Sequence, residues 1–365
     1  MLQDTFTRTR QQRLLRLMHA KQLGAVVTAW RWHAFYFTGH RVFWQNDAAF
    51  VLFSDGRSLL VTANKTDPSA AVDEVITYDA TWMGTHRPPQ AALAGEKVIA
   101  ALNARRARRV GVDASAVSAE LSRGFDGETV SIEEDLWQLR RKKDPDELAI
   151  MRLAIDCTRA MHERARQIIE PGIPELQVFA ELHRAAVETA GQPLSDYLGN
   201  DFACGARGGP PRADRKAAAG ELYILDLGPA VSGYFADNSR VYAVDRKPTD
   251  AQQKAREILL GVFPIVERMA KPGARCQEIY AAVDDYYRSK TGREHPHHLG
   301  HGVGLRPHEF PHLNPKWDDT LQEGEVFTCE PGIYEPELRA GLRIENQYLV
   351  TVDGVENLTP FSTEL

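Results

Sequence analysis

The chain has 365 residues, of which 43% are hydrophobic and 26% are charged, and a formal net charge of −6. This composition is typical of a globular protein and excludes disordered, collagen-like and strongly basic nucleic-acid-coating chains, and the length favours two domains. We therefore expect no nucleic-acid partner. Every apolar run is shorter than the ~20 residues that a membrane-spanning helix needs, so we also expect no membrane partner.

The four cysteines lie far apart and form no CxxC pair. This spacing argues against a disulfide framework and against a cysteine-rich zinc module. The charged N-terminal segment lacks the apolar core of a secretion signal. We therefore expect a cytoplasmic protein.

The first third of the chain alternates helix and strand signals. Leu14, Leu15, Met18 and Leu23 recur at helical spacing. The turn Ser54-Asp55-Gly56 separates two apolar runs and predicts a hairpin. Short apolar runs occupy residues 25–28, 48–53, 59–61, 98–102 and 110–112. Together these signals predict a small α/β domain.

A charged segment, residues 131–143, separates this domain from the rest of the chain. Asp144-Pro145 then begins a new helix with proline in its first turn. We place the domain boundary near residue 138, which gives domains of residues 1–138 and 139–365. Because the net charge is negative, we interpret the basic run 140–143 as a solvated linker face and not as a nucleic-acid patch.

The remainder of the chain contains an internal repeat. Two amphipathic stretches, residues 171–191 and 272–292, each begin with Pro-Gly and end with Gly. Further on, residues 220–228 and 324–332 share the pattern Gly-Glu, four strand-like residues, an acid, any residue and Gly. This predicts a duplicated helix, helix, strand unit with pseudo-twofold symmetry.

Each repeat places an acid at the end of an apolar strand, where a charge needs a partner. Asp226 and Asp237 flank a segment whose hairpin, centred near residue 231, would put them directly opposite each other, roughly 5 Å apart. Glu330 and Glu345 repeat this arrangement in the second half. Carboxylates at such a distance repel each other unless a proton or a cation lies between them.

Each acid, taken alone, has a simpler interpretation. Asp226 could cap a turn, Asp237 could pair with Arg240, and Glu345 could pair with Arg343. The duplication makes four independent coincidences improbable, so the set of four acids indicates bound cations.

The segment 295–312 adds imidazoles to the carboxylates. One histidine with four carboxylates suits manganese, cobalt, iron or zinc. We interpret His295, His298 and His312 as surface or core residues, because single histidines without a supporting motif are weak signals.

Two apparent motifs in this segment are rejected. His308-Glu309-Phe310-Pro311-His312 matches HExxH, but that motif needs one helix, and Pro311 disfavours it. The glycines at 300, 302 and 304 do not have the GxGxxG spacing of a phosphate loop. We expect them instead to let the backbone pass close to a metal site.

These residues resemble the pita-bread metallopeptidases, a family that includes methionine aminopeptidase, aminopeptidase P and prolidase. The resemblance covers roughly residues 140–365 and is carried by Asp226-Leu-Gly, Gly233-Tyr-Phe-Ala-Asp237, His297-His-Leu-Gly-His301, Glu330-Pro-Gly and Arg343-Ile-Glu345. The N-terminal part, with Tyr36-Phe-Thr-Gly39, is similar to the small domain of prolidase and aminopeptidase P. The resemblance implies an α/β (α+β) protein with a C-terminal pseudo-twofold pita-bread (creatinase/aminopeptidase-like) catalytic domain and a smaller N-terminal α/β creatinase-like domain.

The resemblance also implies a site and a reaction. The metal ligands would be Asp226, Asp237, His301, Glu330 and Glu345, holding two divalent metal ions, Mn²⁺ first and Co²⁺, Zn²⁺ or Fe²⁺ as alternatives. A metal-bridging water or hydroxide would be the nucleophile, and Glu330 would carry its proton to the leaving nitrogen.

Two histidines and an arginine complete the implied site. His297 and His308 would be catalytic and would also bind substrate, by contacting its carbonyl and the developing negative charge. Arg343, two residues before Glu345, would support the metal ligands and bind substrate.

One loop departs from the family pattern. The family usually carries a further histidine in a Pro-His segment shortly before an acidic and a basic residue, whereas residues 205–215 contain none and are about three residues shorter. Substrate positioning is therefore open, and Arg207 or Arg212 could meet a substrate carboxylate instead.

The implied activity is hydrolysis of Xaa-Pro bonds in short proline-containing peptides, either in dipeptides or at peptide N-termini, by a homodimer. One alternative is a creatinase-like hydrolase or a lyase acting on a small non-peptide substrate, although creatinase lacks the metal ligands. Another is a non-catalytic binding module on the same fold, against which the complete ligand set with His297 and His308 argues.

Overall fold

The computed structural model describes residues 1–42, 44–64, 70–196 and 198–365. Its contacts divide the chain into two units, Met1–Arg140 and Arg141–Leu365. The boundary near residue 138 stays a prediction. Within the described ranges, every helix is too short or too polar to cross a membrane.

The first unit is built around a six-stranded mixed sheet. Its elements are α1 Asp4–Ala20, β1 Ala25–Thr28, α2 Arg31–Thr38, β2 Ala48–Phe53, β3 Ser58–Ala63, β4 Glu74–Tyr78, β5 Thr81–Trp82, β6 Thr85–His86, α3 Gln90–Ala104, β7 Arg109–Val112, α4 Ala119–Gly124, β8 Glu128–Ser131 and α5 Glu133–Arg141. The strand order in the large sheet is β4-β3-β2-β1-β7-β8, with β1 parallel to β7 and antiparallel to β2. The apolar side chains of these strands pack with those of α3 and α4 into one core.

The turn between β2 and β3 and the apolar pattern of α1 are both predicted from the sequence. The Ser54-Asp55-Gly56 turn joins β2 to β3 as an antiparallel hairpin, and Gly56 has φ +85°, which favours glycine. The predicted hairpin is therefore confirmed. Leu14 and Met18 are buried on α1, but Leu23 lies beyond the end of the helix, so its inclusion in the helical pattern is wrong.

The basic run 140–143 is mostly buried, so its interpretation as a solvated linker face is wrong for Arg140, Arg141 and Lys143. Each of these cations has a polar partner that replaces water. Arg140 contacts the imidazole of His33, and Arg141 forms an ion pair with Glu325. The Lys143 ammonium lies 3.6 Å from the carboxylate of Glu309.

The second unit contains the repeat. Its elements are α6 Pro145–Ile168, α7 Glu175–Ala190, β9 Gly199–Cys204, β10 Leu222–Leu227, β11 Ala230–Val231, β12 Tyr234–Phe235, β13 Asn238–Ala243, α8 Asp250–Leu260, α9 Phe263–Met269, α10 Cys276–Thr291, β14 Gly300–Gly302, β15 Glu309–Leu313, β16 Val326–Cys329, β17 Gly332–Ile333, a 3₁₀ turn Pro336–Leu338, β18 Leu342–Arg343, β19 Asn346–Val350 and β20 Val355–Asn357. The sheets are β13-β10-β9, β15-β14-β16-β19-β20, and the pairs β11-β12 and β17-β18. α6 begins at Pro145 with a capping box between Asp144 and Glu147, as the sequence predicts.

The two halves of this unit share their local hydrogen bonding, which confirms the predicted repeat. The helices α7 and α10 both end at a glycine in the left-handed conformation, Gly191 with φ +62° and Gly292 with φ +73°. The residue pair Pro174 and Lys216 forms an isolated antiparallel bridge just before α7, and Arg275 and Thr320 form the corresponding bridge before α10. In each half the acid-bearing strand follows, as β10 and β16.

Candidate metal centre

The first pair of acids lies on a hairpin whose turn is Ser232-Gly233. In this hairpin β10 pairs with β13 so that Asp226 faces Ser239, and Asp237 follows in the segment between β12 and β13. The prediction that Asp226 and Asp237 lie directly opposite each other is therefore wrong, because the hairpin is centred beyond residue 231. They are diagonal neighbours on the same face, which still lets their side chains meet.

The second pair of acids does lie at opposing positions. Cys329 pairs with Asn346 on one side of them, and Gly332 pairs with Arg343 on the other. Glu330 and Glu345 occupy the facing positions between these two ladders. The second hairpin therefore keeps the register that the sequence suggests.

Backbone and side-chain hydrogen bonds join the two hairpins beside the acids. The amide N–H of Glu345 donates to the carbonyl of Ser239 at 3.0 Å. The amide N–H of Asp237 donates to Gln347 Oε1 at 3.2 Å. These bonds hold one acid from each half of the repeat against the other half, so all four carboxylates converge on one pocket.

His301 joins the carboxylates from β14. Its Nε2 lies 3.2 Å from Glu330 Oε1 and 3.7 Å from Asp237 Oδ2. Its Nδ1 lies 3.1 Å from the carbonyl of Gly302, which accepts a hydrogen bond from that nitrogen. The backbone therefore fixes the tautomer in which the lone pair of Nε2 points at the acids, as a metal-ligating imidazole requires.

The five predicted ligands form one buried group whose negative charge a cation would balance. Their residues are only 1% to 7% exposed. Burial raises the pKa of Asp237 and Glu345 well above the usual value, and the neighbouring carboxylates raise it further. Burial also raises the pKa of Asp226, although Arg343 opposes this. Burial acts in the same direction on Glu330, but the adjacent His301, followed by His298 and Arg343, holds its pKa well below the usual range.

Two oxygens of this group lack any partner. Among the described residues, nothing hydrogen-bonds to Asp226 Oδ1 or Glu345 Oε2, and both atoms are buried. Leaving a buried carboxylate oxygen unpaired costs about 1–3 kcal/mol or more. Asp237, His301 and Glu345 offer ligand atoms within 4.8 Å of one another. Four carboxylates with one imidazole therefore fit divalent ions such as Mn²⁺, Co²⁺, Fe²⁺ or Zn²⁺.

Arg343 lies beside these acids, but its guanidinium is already bound on several sides. Its Nη2 donates to Asp226 Oδ2 at 2.6 Å and also to the carboxylate of Asp201. Its Nη1 donates to the hydroxyl of Tyr334 at 3.1 Å. The side chain reaches the pocket and contacts a predicted metal ligand directly. Its role in substrate binding stays a prediction.

The remaining histidines differ in their placement. His297 and His308 both line the pocket with His301. The hydroxyl of Tyr334 lies 3.0 Å from His297 Nε2, and His297 Nδ1 lies 2.7 Å from the carbonyl of His298. Because that carbonyl can only accept, Nδ1 carries the proton and Nε2 accepts from Tyr334.

Of the three histidines interpreted as surface or core residues, one belongs to the site. His298 lines the pocket, with Nδ1 3.6 Å from Glu330 Oε1, so that interpretation is wrong for it. His295 is buried against the carbonyl of His297, and His312 is paired with Asp319 at 3.0 Å. These two have the structural roles expected of them.

In the segment without the family histidine, the arginines form hydrogen bonds with other residues of the protein. Arg212 forms two hydrogen bonds with the buried carboxylate of Glu175, at 2.6 and 3.0 Å, and a third with the carbonyl of Cys204. The hypothesis that Arg212 meets a substrate carboxylate is therefore wrong. Arg207 is exposed and donates to the carbonyl of Tyr334 at 3.2 Å.

The two rejected motifs are also absent as three-dimensional features in this described segment. The HExxH residues lie largely on strand β15, with a cis bond before Pro311, and not on a helix. Gly300 and Gly302 pass so close to other backbone that an added Cβ would lie 1.9 Å from the carbonyl oxygens of Thr328 and Phe310. These glycines therefore allow close approach to neighbouring backbone, while the expectation that they let the backbone pass close to a metal site stays a prediction.

Sequence reasoning missed Asp201 and Tyr334. Asp201 pairs with Asp226 across β9 and β10, a register that depends on a long connection and leaves no local signal. The one available sequence signal was an acid directly before the apolar residues of β9. Tyr334 follows the Glu330-Pro-Gly motif, but nothing in the sequence shows that its hydroxyl turns to His297 and Arg343.

Comparison with known protein families gives two matches. Residues 149–352 match Metallopeptidase family M24, and residues 10–142 match the Creatinase/Prolidase N-terminal domain. The two matched segments correspond closely to the two units of the fold.

Several curated relatives align with the chain. It is 32% identical over 241 residues to YkvY of Bacillus subtilis (strain 168), and the alignment covers 65% of this chain and 65% of that protein, slightly under two thirds. It is 31% identical over 239 residues to the Xaa-Pro dipeptidase of Pyrococcus furiosus, covering 64% and 67%. It is 30% identical over 244 residues to the uncharacterized peptidase YqhT of Bacillus subtilis (strain 168), covering 66% and 68%.

Solved structures share the fold over nearly the whole chain. The Xaa-Pro dipeptidase from Bacillus anthracis superposes with a TM-score of 0.84 at 22% identity, covering 100% of this chain and 99% of that chain. The prolidase from Pyrococcus horikoshii OT3 superposes with a TM-score of 0.81 at 23% identity, covering 98% and 99%. The fold is the expected one, a pita-bread catalytic domain with a creatinase-like N-terminal domain, and the chain belongs to Metallopeptidase family M24.

Proposed function

We propose that this protein is a dinuclear metal-dependent peptidase that hydrolyses Xaa-Pro bonds in short proline-containing peptides. The observation that carries the proposal is the convergence of four buried carboxylates and His301, with Asp226 Oδ1 and Glu345 Oε2 left without partners. Membership in the metallopeptidase family and the similarity to an Xaa-Pro dipeptidase support the choice of reaction and substrate.

Each ligand residue has a defined part in this proposal. Asp226, Asp237, His301, Glu330 and Glu345 would hold the two ions. When bound, two divalent ions lower the pKa of a water molecule and polarise the scissile carbonyl. The closely spaced acids then no longer repel each other, because the positive charge between them replaces the missing hydrogen-bond partners.

The proton transfer is assigned to Glu330. Its carboxylate lines the pocket and, when ionised, can accept a proton. It takes the proton that the attacking water loses and delivers it to the proline nitrogen as the C–N bond breaks. One proton thus moves from water to the leaving group, and the carboxylate is regenerated.

His297 and His308 are assigned to the substrate. Burial lowers the pKa of both imidazoles, that of His308 to about 4, so both are neutral near pH 7. A neutral imidazole can donate one hydrogen bond to the carbonyl oxygen as negative charge develops there, and His308 has this role because the one N–H of His297 already donates to the carbonyl of His298. Arg343 holds Asp226 in place and lines the same pocket.

The finer assignments are also proposals. Manganese is our first choice of ion, because an oxygen-rich site with one imidazole suits it, and cobalt, zinc or iron would also fit. The four dispersed cysteines support a cytoplasmic location. A homodimer is proposed from the family resemblance.

The test is hydrolysis after metal loading. The purified protein with Mn²⁺ or Co²⁺ should release proline from Ala-Pro or the first residue from Xaa-Pro-Yaa peptides. The same peptides with alanine in place of proline serve as the control for specificity. Hydrolysis of a small non-peptide amide, with no cleavage of any proline peptide under any divalent ion, would contradict the proposal.

A further inference from the structure

Asp201 is a fifth carboxylate in the pocket, in addition to the four proposed metal ligands. It lies on β9 directly across from Asp226 on β10, and it is 8% exposed. Two carboxylates at facing strand positions repel each other unless a positive charge lies between them. Arg343 supplies that charge, because its Nη2 donates to both Asp201 and Asp226.

The other oxygen of Asp201 fixes the loop that lacks the family histidine. Asp201 Oδ1 accepts a hydrogen bond from the amide of Gly209 at 2.6 Å. The carbonyl of Gly209 accepts in turn from the amide of Phe202 at 2.8 Å. A Cβ on Gly208 would lie 2.6 Å from Asp201 Oδ1, so the loop can approach only because a glycine is there. Asp201 is thus held in its position from both sides.

Asp201 changes the charge balance of the pocket. Its lining contains five carboxylates, those of Asp201, Asp226, Asp237, Glu330 and Glu345. Arg343 is the one guanidinium in the described lining. Two divalent ions with Arg343 would balance the five acids. Without Asp201, one positive charge would be left over.

We propose that Asp201 is a specificity-determining residue that neutralises Arg343, so that the pocket disfavours a substrate carboxylate next to the scissile bond. The proposal rests on the proposed function. It assigns the site to the first bond of Xaa-Pro peptides of three or more residues, whose carboxylate lies further away, in preference to Xaa-Pro dipeptides. The pocket has a volume of about 270 Å³.

The wild-type test compares three substrates after Mn²⁺ loading: Ala-Pro, its amide Ala-Pro-NH₂, and Ala-Pro-Ala. The amide differs from the dipeptide by the missing negative charge. We expect KM for Ala-Pro to exceed KM for Ala-Pro-NH₂ and Ala-Pro-Ala by about tenfold or more, equivalent to ~1.4 kcal/mol. This comparison needs no variant, so it holds even if a substitution at Asp201 impairs folding.

The variant test uses Asp201→Asn, which keeps the shape and an oxygen that can accept from Gly209. We expect KM for Ala-Pro to fall by about tenfold while KM for the amide changes by less than about threefold. Asp214→Asn is the matched control, because it removes one charge from an exposed position in the following segment. It should behave as wild type.

The metal content separates this role from a ligand role. Asp201→Asn should retain as much Mn²⁺ per chain as wild type, measured by elemental analysis after dialysis. Loss of an ion, or an equal KM change for all three substrates, would overturn the proposal while leaving the peptidase function standing. If wild type cleaves none of the three peptides, the proposed function itself fails.

Discussion

The imidazole rings of His301 and His308 lie stacked, with their centroids 3.6 Å apart and their planes inclined by 11°. One of these rings is a proposed metal ligand and the other faces the substrate pocket. The stack therefore holds the proposed hydrogen-bond donor of His308 against the imidazole of His301, which would hold a metal ion. Metal binding by His301 and substrate contact by His308 are therefore two functions that substitution can test independently.

Replacing His308 with phenylalanine should keep the stack but remove the donor. We expect kcat for a proline peptide to fall by about a hundredfold, within the range typical of a lost hydrogen bond to the developing negative charge. The Mn²⁺ content should stay unchanged. His183→Phe, on an exposed position of α7, is the control and should leave kcat unaffected. Full activity of His308→Phe would refute the assignment of His308 to the substrate.

Replacing Asp237 with alanine should abolish metal binding. Its pKa is raised by burial and by Asp226, and its carboxylate faces His301 and Glu345, so no nearby group can take its place. Elemental analysis after Mn²⁺ loading and dialysis measures the outcome, with Asp214→Asn as the control. Retention of two ions per chain by Asp237→Ala would show that the site is assigned incorrectly.

Replacing Gly300 with alanine should destabilise the protein. The new Cβ would lie 1.9 Å from the carbonyl oxygen of Thr328, so the strands β14 and β16 would have to separate. We expect a loss of about 3 kcal/mol or more in the free energy of unfolding, and a lower Tm in thermal denaturation. Gly354→Ala is the matched control, because an added Cβ meets nothing within 4 Å there. Equal Tm values for the two variants would contradict this packing.

His162 should make stability depend on pH. Burial, and then the charge of Arg240, lower its pKa to about 3 in the folded protein. Below its ordinary value of about 6.5, the unfolded chain therefore binds the proton more readily, and stability falls as the pH decreases. Between about pH 7 and pH 5, wild type should lose up to ~2 kcal/mol more than His162→Gln, measured by urea denaturation. Parallel pH profiles for the two proteins would exclude this contribution.

The sequence was sufficient where a feature is local. The turn at Ser54-Asp55-Gly56, the capped start of α6 and the glycine ends of α7 and α10 each depend on a few consecutive residues. The repeat also revealed which acids belong together, because both copies carry them at the same point of the pattern. Convergence of the two hairpins then follows from the duplicated unit.

The sequence was insufficient where a residue's environment comes from a distant part of the chain. Arg141 is buried because Glu325 and Asp319 lie beside it, far away in sequence. Asp201 joins the pocket through the pairing of β9 with β10, across the connection 205–221. The prediction that Asp226 and Asp237 face each other is wrong because the turn lies slightly further along the chain than expected. The turn residues of a hairpin set its register, so this small shift changes which residues face each other.

The difference in register between the two hairpins has a consequence for metal loading. One half of the repeat offers two diagonal aspartates next to Arg343, while the other offers two facing glutamates next to His301. The two ions would therefore occupy inequivalent positions, one of them beside a fixed guanidinium and the other beside the imidazole of His301. Filling should be stepwise, so that a protein carrying a single ion per chain exists as a separate, isolable species.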